Sequence, residues 1–184
     1  MIRFDKLTIK AQEAFQSAHE TAQKLNHQEV DSPHLLLALI QQPEGLVRPL
    51  LEKLGQNPDA ELRRIDELLN KRPQVHGAGE QYLSRDLRAA LDAAQQHADK
   101  LKDQYVSTEH FLLALAEQNQ LKVAVADVLK ALRELRGNAQ VTDQNPEDKY
   151  QALQKYGRDL TDEARDRKST RLNSSHQIIS YAVF

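Results

Sequence analysis

Cysteine is missing from this chain altogether. That rules out disulfides, thiolate-bound zinc and a thiol nucleophile, and it fits a reducing compartment. Aromatic residues are scarce at 5%, against 40% apolar residues overall, so a core must be packed mainly by Leu, Ala and Val. Neither sign of charge is in excess: the formal net charge is -2 and no basic block stands out, which leaves no electrostatic footprint for nucleic acid. Long apolar runs are also lacking. None is longer than Leu35 to Ile40, which is far short of the roughly 20 residues of a bilayer-spanning helix. The stretch from Met1 to Lys6 has no apolar segment of the signal-peptide type. The expectation is a soluble, cytoplasmic chain with no membrane contact.

Catalytic signatures are absent too. No G-x-x-x-x-G-K-[ST] loop occurs, so the chain holds no phosphate cradle for ATP. No H-E-x-x-H occurs, since Glu109-His110 is followed by Phe111. No Ser/His/Asp set has a strand-turn-helix context. The sequence thus offers no catalytic residue, no cofactor-binding residue and no metal set. His34 and His110 invite a shared metal site, but two histidines without carboxylate geometry are a weak signal. Each fits better as a first-turn helix residue bonded to loop backbone.

What the chain does contain, it contains twice. Glu29-Val30-Asp31-Ser32-Pro33-His34-Leu35-Leu36-Leu37-Ala38-Leu39-Ile40 is matched by Tyr105-Val106-Ser107-Thr108-Glu109-His110-Phe111-Leu112-Leu113-Ala114-Leu115-Ala116. Each copy reads as a short extended lead, an N-cap and an apolar helix. Ser32 and Thr108 are the cap types, with Pro33 and Glu109 suited to the first helical position. A helix apolar nearly all round belongs in the middle of a bundle. The same offset of 76 pairs Leu7-Thr8 with Leu83-Ser84, Ala18 with Ala94, Ala22 with Ala98, Lys24-Leu25 with Lys100-Leu101 and Gln42 with Gln118. Identity at one offset through helix and loop marks a duplicated helical unit. Two copies are too few for a solenoid, so the expected fold is all-α: one bundle with a pseudo-two-fold axis.

In chain order, Thr8 caps a first helix reaching about Asn26, with Ala11, Ala14, Phe15, Ala18, Ala22 and Leu25 at helical spacing. After the apolar helix, Val47, Leu50, Leu51 and Leu54 mark a short helix stopped by Gly55. Asn57-Pro58 opens a fourth helix. Residues 73–80 join the halves. The second unit repeats the first helix from Ser84 and the apolar helix from Thr108. It lacks a break corresponding to Gly55-Gln56-Asn57-Pro58, so three helices are expected there rather than four. Repeat one is placed at 4–72 and repeat two at 83–136, within a domain over 1–136. Residues 137–145 read as a polar linker and 146–165 as a further helix. From about Asp166 the composition changes, and 166–184 reads as a disordered or artefactual tail.

The duplicated motif, with Phe4-Asp5-Lys6-Leu7-Thr8 and Tyr82-Leu83-Ser84, resembles the amino-terminal Clp repeat domain of the Clp family of AAA+ chaperones. The stretch from Asp148 to Thr161 is similar to the lead-in to the first ATPase module in the ClpB disaggregase branch. The resemblance covers roughly Ile2 to Arg165 and implies a pseudo-symmetric helical bundle. It further implies a part in a ring-forming hexameric ATPase that uses ATP and Mg outside this segment. Such machines extract unfolded or aggregated protein clients with a DnaK-type chaperone system. Two departures stand out. The shortened second unit should leave part of Leu112 to Leu115 uncovered, each exposed Leu forfeiting roughly 1.5–3 kcal/mol. And Lys168 to Phe184 resembles translated sequencing adapter rather than a nucleotide-binding module, which points to a gene fragment.

By the same resemblance Thr8, Asp103, Tyr105 and Glu109 match positions implicated in client engagement or ring contact. Taken as residues alone, Thr8 is an N-cap, Glu109 serves the helix dipole and Asp103 is a solvated loop acid. Leu91 and Tyr105 would border an apolar groove along the seam between the units, or be ordinary core. The alternative function is an adaptor or scaffold docking folded partners through surface carboxylates.

Overall fold

Thr8 starts the first helix through its side chain, which satisfies one of the orphan N–H groups of the first turn. Its Oγ1 accepts a hydrogen bond from the Ala11 N–H at 3.2 Å. The helix, α1, runs Ile9–Lys24 and buries Ala11, Ala14, Ala18 and Ala22. Small residues along that stripe let the next helix approach closely. In the computed structural model, which describes residues 4–75, 80–136 and 140–146, that neighbour is α2, Ser32–Gln41. A short α3 (Val47–Lys53) and a longer α4 (Pro58–Asn70) complete the first unit. Gly55 between them has φ 73°, a backbone state that glycine adopts without penalty. Asn57 caps α4 by accepting from the N–H groups of Asp59 and Ala60 at 3.0 and 3.2 Å.

The second unit repeats this with α5 (Arg85–Leu101), α6 (Thr108–Glu117) and α7 (Val125–Arg136). Three helices follow the joint among the described residues, as the missing turn signal implies. The core is continuous through both units. Leu36 and Leu112 occupy matching interior positions, 1% and 0% exposed. Among the described residues no helix is long and apolar enough to cross a membrane.

The halves do not merely stack; each reaches into the other. Two short strands, β1 (Glu29–Val30) and β2 (Tyr82–Leu83), pair in parallel with Val30 opposite Leu83. A single bridge joins Leu7 to Val106. Adding 76 to Val30 gives Val106, and adding it to Leu7 gives Leu83. The two pairings are therefore the same contact made once in each direction. Ser84 N–H donates to Val30 O at 2.8 Å, and Thr8 N–H donates to Val106 O at 2.9 Å.

Three expectations need correction. The N-caps are Asp31 and Ser107, so Ser32 and Thr108 already lie inside their helices. The reason is a capping box with histidine at its third helical position. His34 Nδ1 accepts the Asp31 N–H at 3.0 Å and His110 Nδ1 accepts the Ser107 N–H at 2.9 Å. The histidines thus bond to backbone, as their first-turn position suggests.

The apolar helix of the second unit is not uncovered: Leu112, Leu113, Ala114 and Leu115 are buried. Helices α1, α2, α3, α5 and α7 all pack on α6. Helix α7 fuses two parts. Its start matches α3, with Val47 and Val125 at an offset of 78. Its last residue, Arg136, takes the part of Arg72, which lies two positions past α4: Arg72 bonds to Asp31 and Arg136 to Glu109, each at the start of its unit's apolar helix, at an offset of 64. The shorter helix buries Val128, Ala131 and Leu132 where α3 and α4 together bury Val47, Leu50, Leu51, Ile65 and Leu69.

The linker, finally, is not a free polar strand where it is described. Val141 is buried, its carbonyl accepts the Gln104 N–H at 2.9 Å, and the Gln144 carbonyl accepts the Ile9 N–H at 3.0 Å. The chain divides into units Met1–Glu147 and Asp148–Phe184. The helix expected over 146–165, apart from Pro146, and the tail expected over 166–184 lie outside the described residues.

Candidate functional site

Each unit buries a polar centre where its apolar helix begins. In the first, Asp31 Oδ1 accepts from the Ser32 N–H at 2.8 Å and the Ser84 hydroxyl at 2.6 Å. Arg72, just beyond α4, donates to Oδ2. Burial works to raise the Asp31 pKa, but the Ser84 hydroxyl, the Ser32 N–H and Arg72 outweigh it and hold it below the usual value. Two imidazoles lie alongside, with His27 Nδ1 2.9 Å from His34 Nε2. Because His34 Nδ1 accepts a backbone N–H, its proton sits on Nε2 and is donated to His27 Nδ1. The His27 proton is then on Nε2, a buried atom with no hydrogen-bond partner among the described residues. Burial, then His27 and Arg72, lowers the His34 pKa to about 4. Burial and Arg72 lower that of His27.

The second centre puts Asp103 where the first has His27, 76 positions on. Asp103 Oδ2 lies 3.0 Å from His110 Nε2 and 2.9 Å from Arg136 Nη2. The Val141 N–H donates to Oδ1 at 2.7 Å, and Arg136 also donates to Glu109. Burial opposes ionisation of Asp103, yet the His110 N–H, the Val141 N–H and Arg136 bring its pKa down. Burial likewise opposes the charge of Arg136, and Glu109 and Asp103 more than restore it. Asp103 is therefore a buried anion rather than a solvated loop acid. Glu109 is buried as well. Ligand atoms of Asp103, Glu109 and His110 all lie within 4.8 Å of one another, a spacing a metal could use. Here the guanidinium of Arg136 binds both carboxylates and supplies the cation.

Of the residues singled out in the sequence, Asp103 and Glu109 are brought together through Arg136. Thr8 is buried at the crossover with Val106, next to Tyr105. Leu91 is buried on α5, and Tyr105 is half-buried. A cleft of about 380 Å³ opens between α3 and α7, on the seam between the units. Its wall is polar, with Lys53, Lys122, Asp127, Lys130 and Glu134, and Lys53 pairs with Glu134 at 2.9 Å. A smaller cleft of about 260 Å³ lies between α1 and α2. Neither Leu91 nor Tyr105 lines either one. Arg72, Arg136 and His27 escaped the sequence reading. The signals were there: an Arg at the end of the second unit's last helix and just past that of the first, and His27 at the repeat position of Asp103.

Residues 6–132 match the Clp repeat (R) N-terminal domain. The chain belongs to that family. A Clp repeat domain of this kind stands at 42% identity over 177 residues with chaperone protein ClpB of Nitratidesulfovibrio vulgaris, covering 89% of this chain and 20% of the relative. Against the mitochondrial chaperone protein ClpB4 of Arabidopsis thaliana the identity is 37% over 169 residues, covering 88% and 18%. The chain thus spans about a fifth of the length of these relatives. Among solved structures, the Hsp104 N-terminal domain of Candida albicans superposes with a TM-score of 0.68 at 23% identity, covering 76% of this chain and 97% of that one. The N-terminal domain of the ClpV1 ATPase of E. coli gives 0.64 at 21%, covering 76% and 91%. These two likenesses show the fold. Together the family match and the relatives in sequence mark the chain as a Clp repeat N-terminal domain similar to part of the ClpB chaperones.

Proposed function

We propose that this domain is a non-catalytic client-binding module of a ClpB-like disaggregase, holding exposed apolar segments of unfolded or aggregated proteins. The observation that carries the reading is the division of labour among its side chains. The buried carboxylates Asp31, Asp103 and Glu109 are each tied to an arginine, which leaves them no free role in chemistry. Large apolar side chains stand in solvent instead: Phe4 is 54% exposed, Ile9 41% and Tyr82 50%. Phe4 packs edge-on against Phe15 at 5.2 Å, so part of its ring is already fixed for a partner. A client held this way is bound weakly by one domain and more firmly by several on one ring, through effective concentration. The ATP, Mg, hexamer and DnaK-type partnership belong in this proposal to the rest of such a machine. The test is binding to denatured casein against native protein. Capture of the denatured form alone supports the reading; indifference to it at high micromolar concentration ends it.

A second reading has its own support. The seam cleft carries Lys53, Lys122, Lys130, Asp127 and Glu134 beside Leu54 and Val123, a charged rim that suits an adaptor surface for folded partners. Capture of native partners that weakens steeply with salt would favour it.

A further inference from the structure

The two polar centres occupy equivalent places but carry different charge. Among the described residues, the charged groups around the His27–His34 pair are the Asp31 carboxylate from the cap and the Arg72 guanidinium from just beyond α4, and they are bonded to each other. The other neighbouring elements bring neutral groups. From α1 comes the Ala22 carbonyl on His27 N–H, from the lead into β2 the Gln81 amide on His27 O, and from the α5 cap the Ser84 hydroxyl on Asp31. Among the described residues, a proton arriving on this pair meets a cation and no uncommitted carboxylate. In the twin centre two carboxylates, Asp103 and Glu109, share one guanidinium, so one negative charge is in excess beside His110.

Position turns this difference into a mechanical one. His27 immediately precedes the segment that pairs with the second unit. Tyr82 N–H donates to Gln28 O at 3.0 Å and Ser84 N–H to Val30 O at 2.8 Å. Asp103 precedes the equivalent segment, held by Val106 N–H on Lys6 O at 2.8 Å and Thr8 N–H on Val106 O. The imidazole contact of 2.9 Å pins one crossover; a carboxylate–imidazole–guanidinium cluster pins the other.

We propose that the first crossover is an acid-sensitive latch: a second proton between the facing nitrogens of His27 and His34 releases the Glu29–Val30/Tyr82–Leu83 pairing, while the Leu7/Val106 crossover stays closed. With one proton already between the facing nitrogens, another there makes His27 a cation and sets its Nδ1–H against the His34 Nε2–H, which a separation of 2.9 Å cannot hold. The pair must part, and it carries the 27–30 segment with it. Acid thereby opens one side of the interlock and uncovers Val30, which is otherwise buried. The idea extends the client-binding reading without resting on it.

The test is amide hydrogen exchange on the full chain at about pH 7 and about pH 5, corrected for intrinsic exchange rates. If the released histidine recovers its ordinary pKa of 6.5 from about 4, opening of the first crossover rises about 20-fold between these conditions. Protection at Tyr82 and Ser84 should fall by that factor, while protection at Thr8 and Val106 changes little. Equal loss at both crossovers, or no loss at Tyr82 and Ser84, overturns the latch. His27→Asp, which copies the twin centre, provides a second arm. In that variant protection at Tyr82 and Ser84 should no longer depend on acid. If the acid response persists in a folded His27→Asp, the imidazole pair is not its cause.

Discussion

Gln42 and Gln118 make the same bond in the two halves of the molecule. Each sits at the end of its unit's apolar helix and donates its side-chain amide to a first-turn carbonyl of the preceding long helix: Lys10 O at 2.9 Å and Asp86 O at 2.7 Å. The two differ at the other end of the side chain. Gln118 Oε1 accepts from the Ser32 hydroxyl at 3.0 Å, a bond between units, whereas Gln42 Oε1 is buried without a hydrogen-bond partner among the described residues. Replacing either by Ala should cost about 1 kcal/mol, with Gln118→Ala the larger of the two. Urea midpoints of the single variants would show this ordering, and a larger loss for Gln42→Ala would contradict it.

Arg136 neutralises two buried carboxylates at once. Arg136→Ala leaves Asp103 and Glu109 buried without their cation, a situation that costs about 3–5 kcal/mol. Arg136→Lys keeps the charge but not the fork that reaches both acids, so it should recover only part of the loss. Chemical denaturation of both variants decides the matter. A loss below about 1 kcal/mol for Arg136→Ala would mean that water already screens this cluster.

Acid should weaken the fold in two stages. His34 titrates near 4 when folded and near 6.5 when free. Between those values the unfolded chain binds more protons, so stability falls as pH falls through that window and levels off below it. The shift corresponds to about 3 kcal/mol. Asp31 and Asp103, whose folded values lie below their ordinary 3.8, contribute stability above that value that is lost as pH falls further. Unfolding free energies measured from neutral pH downward should show the histidine limb first. A flat profile down to pH 4 would refute it.

Thr8 can be separated from the client surface by paired substitutions. Thr8→Ala removes the cap on Ala11 and should cost about 0.5–2 kcal/mol, while Thr8→Ser keeps the hydroxyl and most of the stability. Because Thr8 is buried, casein binding by a folded Thr8→Ser should be unchanged. Phe4→Ser with Ile9→Ser should do the reverse, weakening binding several-fold with little effect on the denaturation midpoint. Loss of binding in stable Thr8→Ser would place the Thr8 methyl, the one group this change removes, on the client.

The sequence alone was enough to establish the duplication, the all-α class and the position of each described helix to within a turn. Cap residues, prolines and apolar spacing act within a few positions of the backbone they control, so their effect can be read locally. Even the missing helix of the second unit was visible as a missing turn signal. The cap assignments were off by one residue because histidine stands where a capping box ordinarily has Glu or Gln.

Only the tertiary structure decided which buried charges meet. Arg72 reaches Asp31 across 41 positions, and Arg136 reaches Asp103 across 33. No local pattern announces such partners, since each is chosen by the path of the chain between them. The reciprocal crossovers, the buried Val141 and the closed flank of α6 have the same origin. A side chain taken out of water must find its hydrogen bonds or its packing wherever the fold brings them, and that place is set by the whole bundle.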